Sequence, residues 1–177
     1  MEEEVERGEE LPRVILETGE EDVRDSLLAD ILEPWTGYYR HILIDCPPSL
    51  GHLTQMAFTA SERVLIPVQC DYFSSWGLLR LLDVTGTMNR GTESRLDCHL
   101  LATMYDPRNA VCRNVYERLK LNFPHLLMHT VIGIDTMLRE CELVGESILT
   151  YAPACRASDQ YRKLAKEWVS RTQGPED

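Results

Sequence analysis

The stretch His41–Leu50, HILIDCPPSL, constrains the fold of this 177-residue chain more than any other. Its apolar run Ile42–Ile44 is typical of a strand that is buried on both faces of a parallel sheet. Asp45 follows directly, and Pro47 and Pro48 end the strand, because proline lacks a ladder donor and restricts the residue before it. The pattern predicts a carboxylate at the carboxyl end of a buried strand, the edge of open α/β sheets where ligands bind.

Strand-like and helix-like segments alternate along the rest of the chain. Apolar runs predict further strands at Arg63–Val68, Asp97–Thr103 and Met128–Ile132, with shorter extended pieces at Leu11–Leu16 and Ser147–Thr150. Helical spacing of apolar residues predicts helices at Glu20–Leu32, within Ser49–Ala60, from Ser74 or Ser75 to Asn89, after Arg108, at Asp135–Leu143 and at Asp159–Arg171, the last capped by Ser158. This alternation predicts an α/β fold, with a doubly wound, mostly parallel sheet and helices on both faces.

The charge of the chain is concentrated at its start. Residues 1–33 carry 13 acidic and 3 basic side chains, which accounts for −10 of the formal net charge of −11. We expect a disordered acidic leader at 1–10, one α/β domain at 11–172 and a polar tail at 173–177. The domain itself is nearly neutral, which does not favour general nucleic-acid binding unless its arginines cluster on one face.

The distribution of cysteine and histidine argues against a secreted or zinc-binding protein. The six cysteines form no CxxC pair, the five histidines show no metal-ligand spacing, and the first ten residues are mostly glutamate rather than a secretory leader. Reduced thiols in the cytoplasm are therefore expected. No apolar run approaches the length of a membrane span.

The last predicted helix could be either a packed element or a basic amphipathic membrane anchor. Its apolar residues Tyr161, Leu164 and Trp168 form a narrow stripe, and the tail that follows adds acidic rather than basic charge. We therefore predict that this helix packs on the sheet, that Trp168 is largely buried and that the chain does not bind membranes.

Three stretches resemble one family when they are taken in order: HILIDCPPSLGHLTQMAFTASERVLIPVQCDYFSSWGL, LLATMYDPR and ILTYAPACRASDQYRKLAKE. They are similar to the ParA/Soj branch of the MinD-like ATPases, which position chromosomes, plasmids and other cargo, and the resemblance covers about residues 38–169. It implies a P-loop NTPase-like fold, a dimer, and ATP with magnesium as cofactors. By this resemblance Asp45 is the Walker B carboxylate that holds magnesium, Met104 contacts adenine beside the backbone of Asp135, and the loop at Pro153 closes over the ring.

The phosphate-binding loop of that family is absent from these residues, so the fold is expected to be incomplete. The motif GxxxxGK[ST] does not occur, and none of the three lysines, Lys120, Lys163 and Lys166, follows a glycine. In the family, the P-loop strand lies beside the strand that ends in the magnesium-linked aspartate. Without it, the sheet closes up, the segment Leu11–Leu16 fills the gap, or another chain does. The chain alone is not expected to hydrolyse ATP.

The resemblance also puts DNA binding in doubt. Ile134 and Met137 stand where the family usually has arginines, and Glu146 replaces a lysine. Each phosphate contact that is lost weakens binding. Arg113 and Arg156 do match basic positions of the family, and they are the candidate DNA-binding residues.

Three functional hypotheses remain open at this point. The chain could be a ParA-like partition or positioning protein, degenerate or truncated, that acts by association with itself, a full-length relative, a partition partner protein or DNA, rather than by its own ATP turnover. It could be an ATPase that is completed by a P-loop from another chain. It could also be a regulatory binding module that does not depend on nucleotide.

Overall fold

The computed structural model describes residues 26–71, 78, 81–86 and 96–172. Within these residues, three parallel strands form one sheet in the order β1-β2-β3, with β1 at Arg63–Gln69, β2 at Asp97–Tyr105 and β3 at Leu127–Gly133. The helices are α1 (Leu27–Leu32), followed by a 3₁₀ turn at Glu33–Trp35, α2 (His52–Thr59), α3 (Ala110–Asn122), α4 (Thr136–Val144), α5 (Ile148–Tyr151) and α6 (Arg156–Thr172). Residues 81–86 are also helical.

The two faces of the sheet pack against different helices. Consecutive strand residues point to opposite faces, and Leu100 of β2 accordingly joins a cluster with Leu119 of α3. Its neighbour Leu101 joins another cluster with Leu164 and Trp168 of α6. A parallel sheet with helices on both faces is the fold class that the alternating pattern predicts, and the prediction is confirmed.

The strand predicted at Ile42–Ile44 is wrong. Residues 41–47 adopt no regular secondary structure, and the side chain of Leu43 is 86% exposed. An apolar run forms a strand only where a neighbouring strand satisfies its backbone groups, and no described strand pairs with this segment. Within the described residues, this segment is therefore not part of the sheet. The alternative segment Leu11–Leu16, like the leader at 1–10 and the tail at 173–177, lies outside the described residues.

Among the described strands, β1 lies at an edge of the sheet, a position at which a proline such as Pro67 is tolerated. Proline cannot donate to a ladder and is normally found on edge strands. The register pairs Pro67 with Leu101 of β2, and the proline side chain is exposed. The other flank of β1 carries no described strand.

Two details near the end of the chain also differ from the prediction. Ser147–Thr150 was expected to be extended, but residues 148–151 form helix α5, because the Ser147 side chain accepts a hydrogen bond from the Leu149 N–H and caps it. Helix α6 begins at Arg156, so Ser158 does not cap it. The Ser158 hydroxyl is buried and lies 2.8 Å from the Ile148 carbonyl and 2.7 Å from that of Ala152.

Helix α6 completes the hydrogen bonding of an irregular part of β3. The register pairs Leu100 with Leu127 but Ala102 with Val131, so the ladder is interrupted between them. There the Glu167 carboxylate accepts hydrogen bonds from the backbone N–H groups of His129 and Thr130, at 2.7 and 2.8 Å. These bonds fix α6 along β3, as the prediction of a packed helix requires.

Trp168 is only partly exposed and packs on the cluster of Leu101 and Met128. Its ring also meets that of His99 edge to face, with the centroids 5.2 Å apart. In the part of the chain that the structure describes, no helix is both long and apolar enough to cross a membrane.

Candidate functional site

The carboxyl ends of β2 and β3 meet at one edge of the sheet. Tyr105 is paired in register with Gly133, and the Tyr105 carbonyl accepts a hydrogen bond from the Ile134 N–H at 3.2 Å. A Cβ added at Gly133 would lie 3.3 Å from that carbonyl oxygen, which is a tight contact. The two strand ends can therefore stay close because position 133 has no side chain.

Met104 occupies an unusual backbone conformation at this edge. Its φ is +52°, the left-handed region that non-glycine residues rarely adopt, and its side chain is 47% exposed. Left-handed backbone costs an L-residue on the order of 1–2 kcal/mol. Strained residues of this kind concentrate at ligand-binding sites, so the conformation supports Met104 as a ligand contact.

We expect the substitution Met104→Gly to raise the free energy of unfolding by about 1 kcal/mol, because glycine adopts positive φ without steric cost. Removing the Met104 side chain also loses the packing of its buried part, which limits the gain in stability. Urea denaturation monitored by circular dichroism measures it. Met104→Ala, which keeps the Cβ, serves as the control. If Met104→Gly is less stable than Met104→Ala, the backbone strain is negligible.

Asp135 connects the end of β3 to the start of α6. One carboxylate oxygen caps α4 by accepting from the Met137 N–H at 3.1 Å. The other accepts from the Ala157 N–H at 3.3 Å and lies 3.8 Å from Nε of Arg156. The Asp135 side chain is therefore committed to holding α6 at this edge, which leaves its backbone as the part that can face a ligand.

The turn that contains Pro153 joins α5 to α6 and leads to the same edge. The Pro153 carbonyl accepts a hydrogen bond from Nη1 of Arg162 at 2.7 Å, and the Pro153 side chain is exposed. The amide oxygen of Gln160 accepts from the Gly133 N–H at 3.1 Å. Gln160 has no counterpart in the sequence prediction, since no local pattern relates a helix side chain to a strand 27 residues away.

A compact turn follows β2 and adds charge to the edge. The Asp106 carboxylate accepts hydrogen bonds from Nε and Nη2 of Arg108, at 3.0 and 2.9 Å, and from the Arg108 N–H at 2.9 Å. These bonds hold the pKa of Asp106 at about 2, so the carboxylate stays ionised at any physiological pH. The sequence DPR indicates this pairing, because an Asp and an Arg on either side of a proline in a turn can reach each other. Neither Asp106 nor Arg108 is among the predicted site residues.

The two candidate DNA-binding arginines are bonded to their own chain. Nη1 of Arg113 donates to the Pro107 carbonyl at 2.7 Å, and Nη2 of Arg156 donates to the Ile134 carbonyl. Both side chains remain on the surface. They flank the same strand edge as Met104.

The structure does not bring Asp45 into this arrangement through any described contact. Asp45 is exposed in the irregular segment 41–47. Among the described residues, no three histidine, cysteine or acidic side chains are grouped so that they could hold a metal ion. Met104, Gly133 and Asp135 thus lie together at one edge of the sheet, and no described contact joins Asp45 to them.

Comparison with known proteins places these features in a family. A family model described as an AAA domain matches residues 10–98, just over half of the chain. Chromosome partitioning protein ParA of Caulobacter vibrioides is 34% identical over 165 residues, which is 92% of this chain and 62% of the relative. This chain belongs to the ParA/MinD-like family of AAA domains.

A second partitioning relative and two solved structures agree with this ParA/MinD-like assignment. Chromosome-partitioning ATPase Soj of Treponema pallidum is 34% identical over 163 residues, which is 92% of this chain and 64% of Soj. The chain therefore spans less than two thirds of the length of these relatives.

The two structures are of cobyrinic acid a,c-diamide synthase from Mycobacterium smegmatis, and both superpose on just over half of the ParA/MinD-like chain. The structure with bound ADP and magnesium has a TM-score of 0.52 and 31% identity, and covers 56% of this chain and 41% of its own. The structure with a bound ATP analog and magnesium has a TM-score of 0.53 and 30% identity, and covers 58% and 43%.

The residues of this ParA/MinD-like chain fit magnesium in one respect only. Mg²⁺ is usually held by one or two carboxylates, several waters and the phosphates of a nucleotide, rather than by a cage of protein ligands. Asp45 can supply one carboxylate. The remaining ligands would have to be water and nucleotide phosphates.

Proposed function

We propose that this chain is a ParA-like partition or cargo-positioning protein, which contributes the base-facing edge and the magnesium-linked Asp45 to a nucleotide site. The phosphate-binding loop of that site is provided by residues other than these 177. The proposal is supported by ParA relatives that cover about nine tenths of the chain and by solved neighbours that hold adenine nucleotides with magnesium.

The observation that carries the proposal is the backbone geometry at the ends of β2 and β3. Met104 is held at positive φ, Gly133 permits close approach of the two strands, and Asp135 holds the start of α6 beside them. A flat base can lie against such an edge and be recognised by backbone groups. In α/β sheets, ligands bind at the carboxyl ends of the strands.

The simplest source of the phosphate loop is a full-length ParA-like chain. This chain would form a two-chain complex with it, and the full-length chain would supply the loop. A strand from that chain could also pair with the open flank of β1 and bring the segment around Asp45 into the sheet. Adding a strand to an exposed edge is a common mode of association. DNA binding would then rest on the partner and on Arg113 and Arg156.

The prediction concerns Asp45. When the chain is mixed with a full-length ParA-like protein of the same cell, we expect a complex whose formation is strengthened by ATP and Mg²⁺. Asp45→Ala should lower the Mg-ATP affinity of that complex by roughly tenfold or more, because residues that orient a bound metal carry effects of that size. The melting temperature of the chain alone should not change, since Asp45 is exposed. Mass photometry and titration with a fluorescent ATP analogue measure the two effects.

The matched control is Asp159→Ala, which removes another exposed carboxylate, one whose ion pair in the described part of the chain is with Lys163. Its complex should bind Mg-ATP as the wild type does. If no complex forms, with or without Mg-ATP, the proposal fails. If a complex forms but Asp45→Ala binds Mg-ATP normally, the assignment of Asp45 fails while the association stands.

A further inference from the structure

We infer that the exposed surface of α4 and α5 is a docking site for a basic amphipathic helix of another protein. This surface is here called the acidic apolar face. It consists of these residues: Leu143, Val144, Leu149 and Tyr151, with Glu140, Glu142 and Glu146 around them.

The apolar side chains of this face are not needed by the fold. The inner sides of α4 and α5 are already occupied, since Cys141 and Ile148 are buried in a cluster with Ala157 of α6. Leu143, by contrast, is 88% exposed and Val144 is 57% exposed. Adjacent exposed apolar residues on a soluble domain mark an interaction surface more often than scattered ones do.

The geometry of the face is fixed by the backbone rather than by flexible side chains. Gly145 ends α4 in the left-handed conformation, with φ +69°, and the Gly145 and Glu146 N–H groups bond to the carbonyls of Glu142 and Cys141. This pair of backbone hydrogen bonds is a Schellman cap. It holds Leu143 and Val144 on the last helical turn, one turn beyond Glu140 and on the same side of α4.

A hydrogen bond joins the two helices across the face. The Tyr151 hydroxyl of α5 donates to the Glu140 carboxylate of α4 at 3.3 Å. Burial and the charge of Glu140 raise the pKa of Tyr151, so the hydroxyl remains a donor. The acidic and apolar parts of the face are therefore parts of one surface.

The charge of the face indicates what can cover it. Residues 134–151 contain four acidic side chains and one basic side chain, Arg139. Phosphate-rich nucleic acid would be repelled. A second copy that docked symmetrically would place the same three glutamates opposite one another, which is unfavourable. The first 25 residues of this chain carry 11 acidic and 3 basic side chains, so they would be repelled as well.

A partner helix with leucines on one side and lysines or arginines beside them satisfies both requirements. Its leucines would cover Leu143 and Val144, and its cations would lie near the three glutamates. Helix-in-groove recognition uses this i, i+3, i+4, i+7 arrangement of anchors. The inference does not depend on the proposed nucleotide site.

The test uses a fluorescent peptide of about 14 residues, built from leucine and lysine with helical spacing, and the full 177-residue chain. Fluorescence anisotropy should show binding that weakens with salt, as ion pairs require. We expect Leu143→Ser combined with Val144→Ser, and separately Glu142→Lys combined with Glu146→Lys, each to weaken binding by about tenfold. The control Leu121→Ser alters a leucine that is 79% exposed on α3 and should bind as the wild type does.

Four results would overturn the inference. Binding that survives both double substitutions lies elsewhere on the chain. A peptide with glutamate in place of lysine that binds equally well shows that charge is irrelevant. Self-association in sedimentation that is abolished by the Leu143 and Val144 substitutions identifies a second copy as the occupant. Binding of a short DNA duplex that is lost in the same variant identifies nucleic acid. Circular dichroism checks that each variant is folded. If the variant with serine at positions 143 and 144 does not fold, the variant with lysine at positions 142 and 146 still tests the inference.

Discussion

Replacing Glu167 by alanine is expected to lower the free energy of unfolding by about 3 kcal/mol, because it leaves backbone donors of β3 without an acceptor. The carboxylate accepts from the His129 and Thr130 N–H groups, and its side chain is only 12% exposed. These N–H groups lie where the β2–β3 ladder is interrupted, so the neighbouring strand cannot replace the lost acceptor.

The same substitution also disturbs Arg171. Nη2 of Arg171 lies 3.1 Å from the Glu167 carboxylate and donates to the Leu127 carbonyl at 2.9 Å. Both partners come from one turn of α6, and together they hold the first half of β3. Loss of Glu167 would leave the Arg171 guanidinium partly buried without its counter-charge, which adds to the cost.

Acid should weaken this network in the wild type. Burial alone raises the pKa of the Glu167 carboxyl, but hydrogen bonds from Thr130 and His129 and the charge of Arg171 outweigh it, so the pKa lies below its ordinary value of 4.5. The contribution to stability is therefore complete above pH 4.5 and is lost as the pH falls through the lower folded-state pKa. Glu167→Gln should lose this part of the pH dependence.

Chemical denaturation of the wild type, Glu167→Ala and Glu167→Gln between pH 3 and pH 7 measures both effects. The control is Lys163→Ala, which breaks an exposed ion pair with Asp159 on the same helix and should change the stability by less than about 0.5 kcal/mol. A Glu167→Ala variant as stable as Lys163→Ala would mean that water satisfies the β3 donors.

The sequence predicts the three strands of the sheet because their signal is local. Each apolar run is long enough to be buried between two helical layers, and the observed bounds of β1, β2 and β3 lie within about two residues of the predicted ones. The placement of Met104 and Asp135 at one edge follows from the same prediction, since the carboxyl ends of parallel strands share an edge.

The features that the sequence does not predict correctly depend on neighbouring elements rather than on the local residue pattern. Ile42–Ile44 has the composition of a buried strand, but no described strand lies beside it, and the segment stays irregular. Glu167 looks like a solvent-facing helix residue in the sequence, and only the interruption in β3 gives it two backbone partners. The positive φ of Met104 has no sequence signal, because methionine is not a residue that favours it.

Replacing His99 by phenylalanine is expected to raise the free energy of unfolding by about 1–2 kcal/mol at pH 7, since it removes buried polar atoms that lack partners. Among the described residues, neither ring nitrogen of His99 has a hydrogen-bond partner, although both atoms are buried. Phenylalanine keeps the ring that packs edge to face on Trp168 of α6.

The pH dependence of stability provides the second readout for His99. Burial lowers its pKa below the ordinary value of 6.5, and the nearby Arg171 and Arg63 add to this, while Asp97 and Glu167 act in the opposite direction. The unfolded chain therefore binds the proton more readily than the folded chain. Stability is complete above pH 6.5 and declines as the pH falls toward the folded-state value.

His99→Phe should abolish the decline in stability below pH 6.5. The separate decline below pH 4.5, which depends on Glu167, should remain. Thermal unfolding from pH 5 to pH 8 measures the His99 effect, and His125→Phe, at an exposed histidine, should keep the wild-type slope. A His99→Phe variant that is less stable and still follows the wild-type pH profile would show that the His99 nitrogens are hydrogen-bonded in solution. The contact between β2 and α6 would then depend on a polar partner rather than on packing against Trp168.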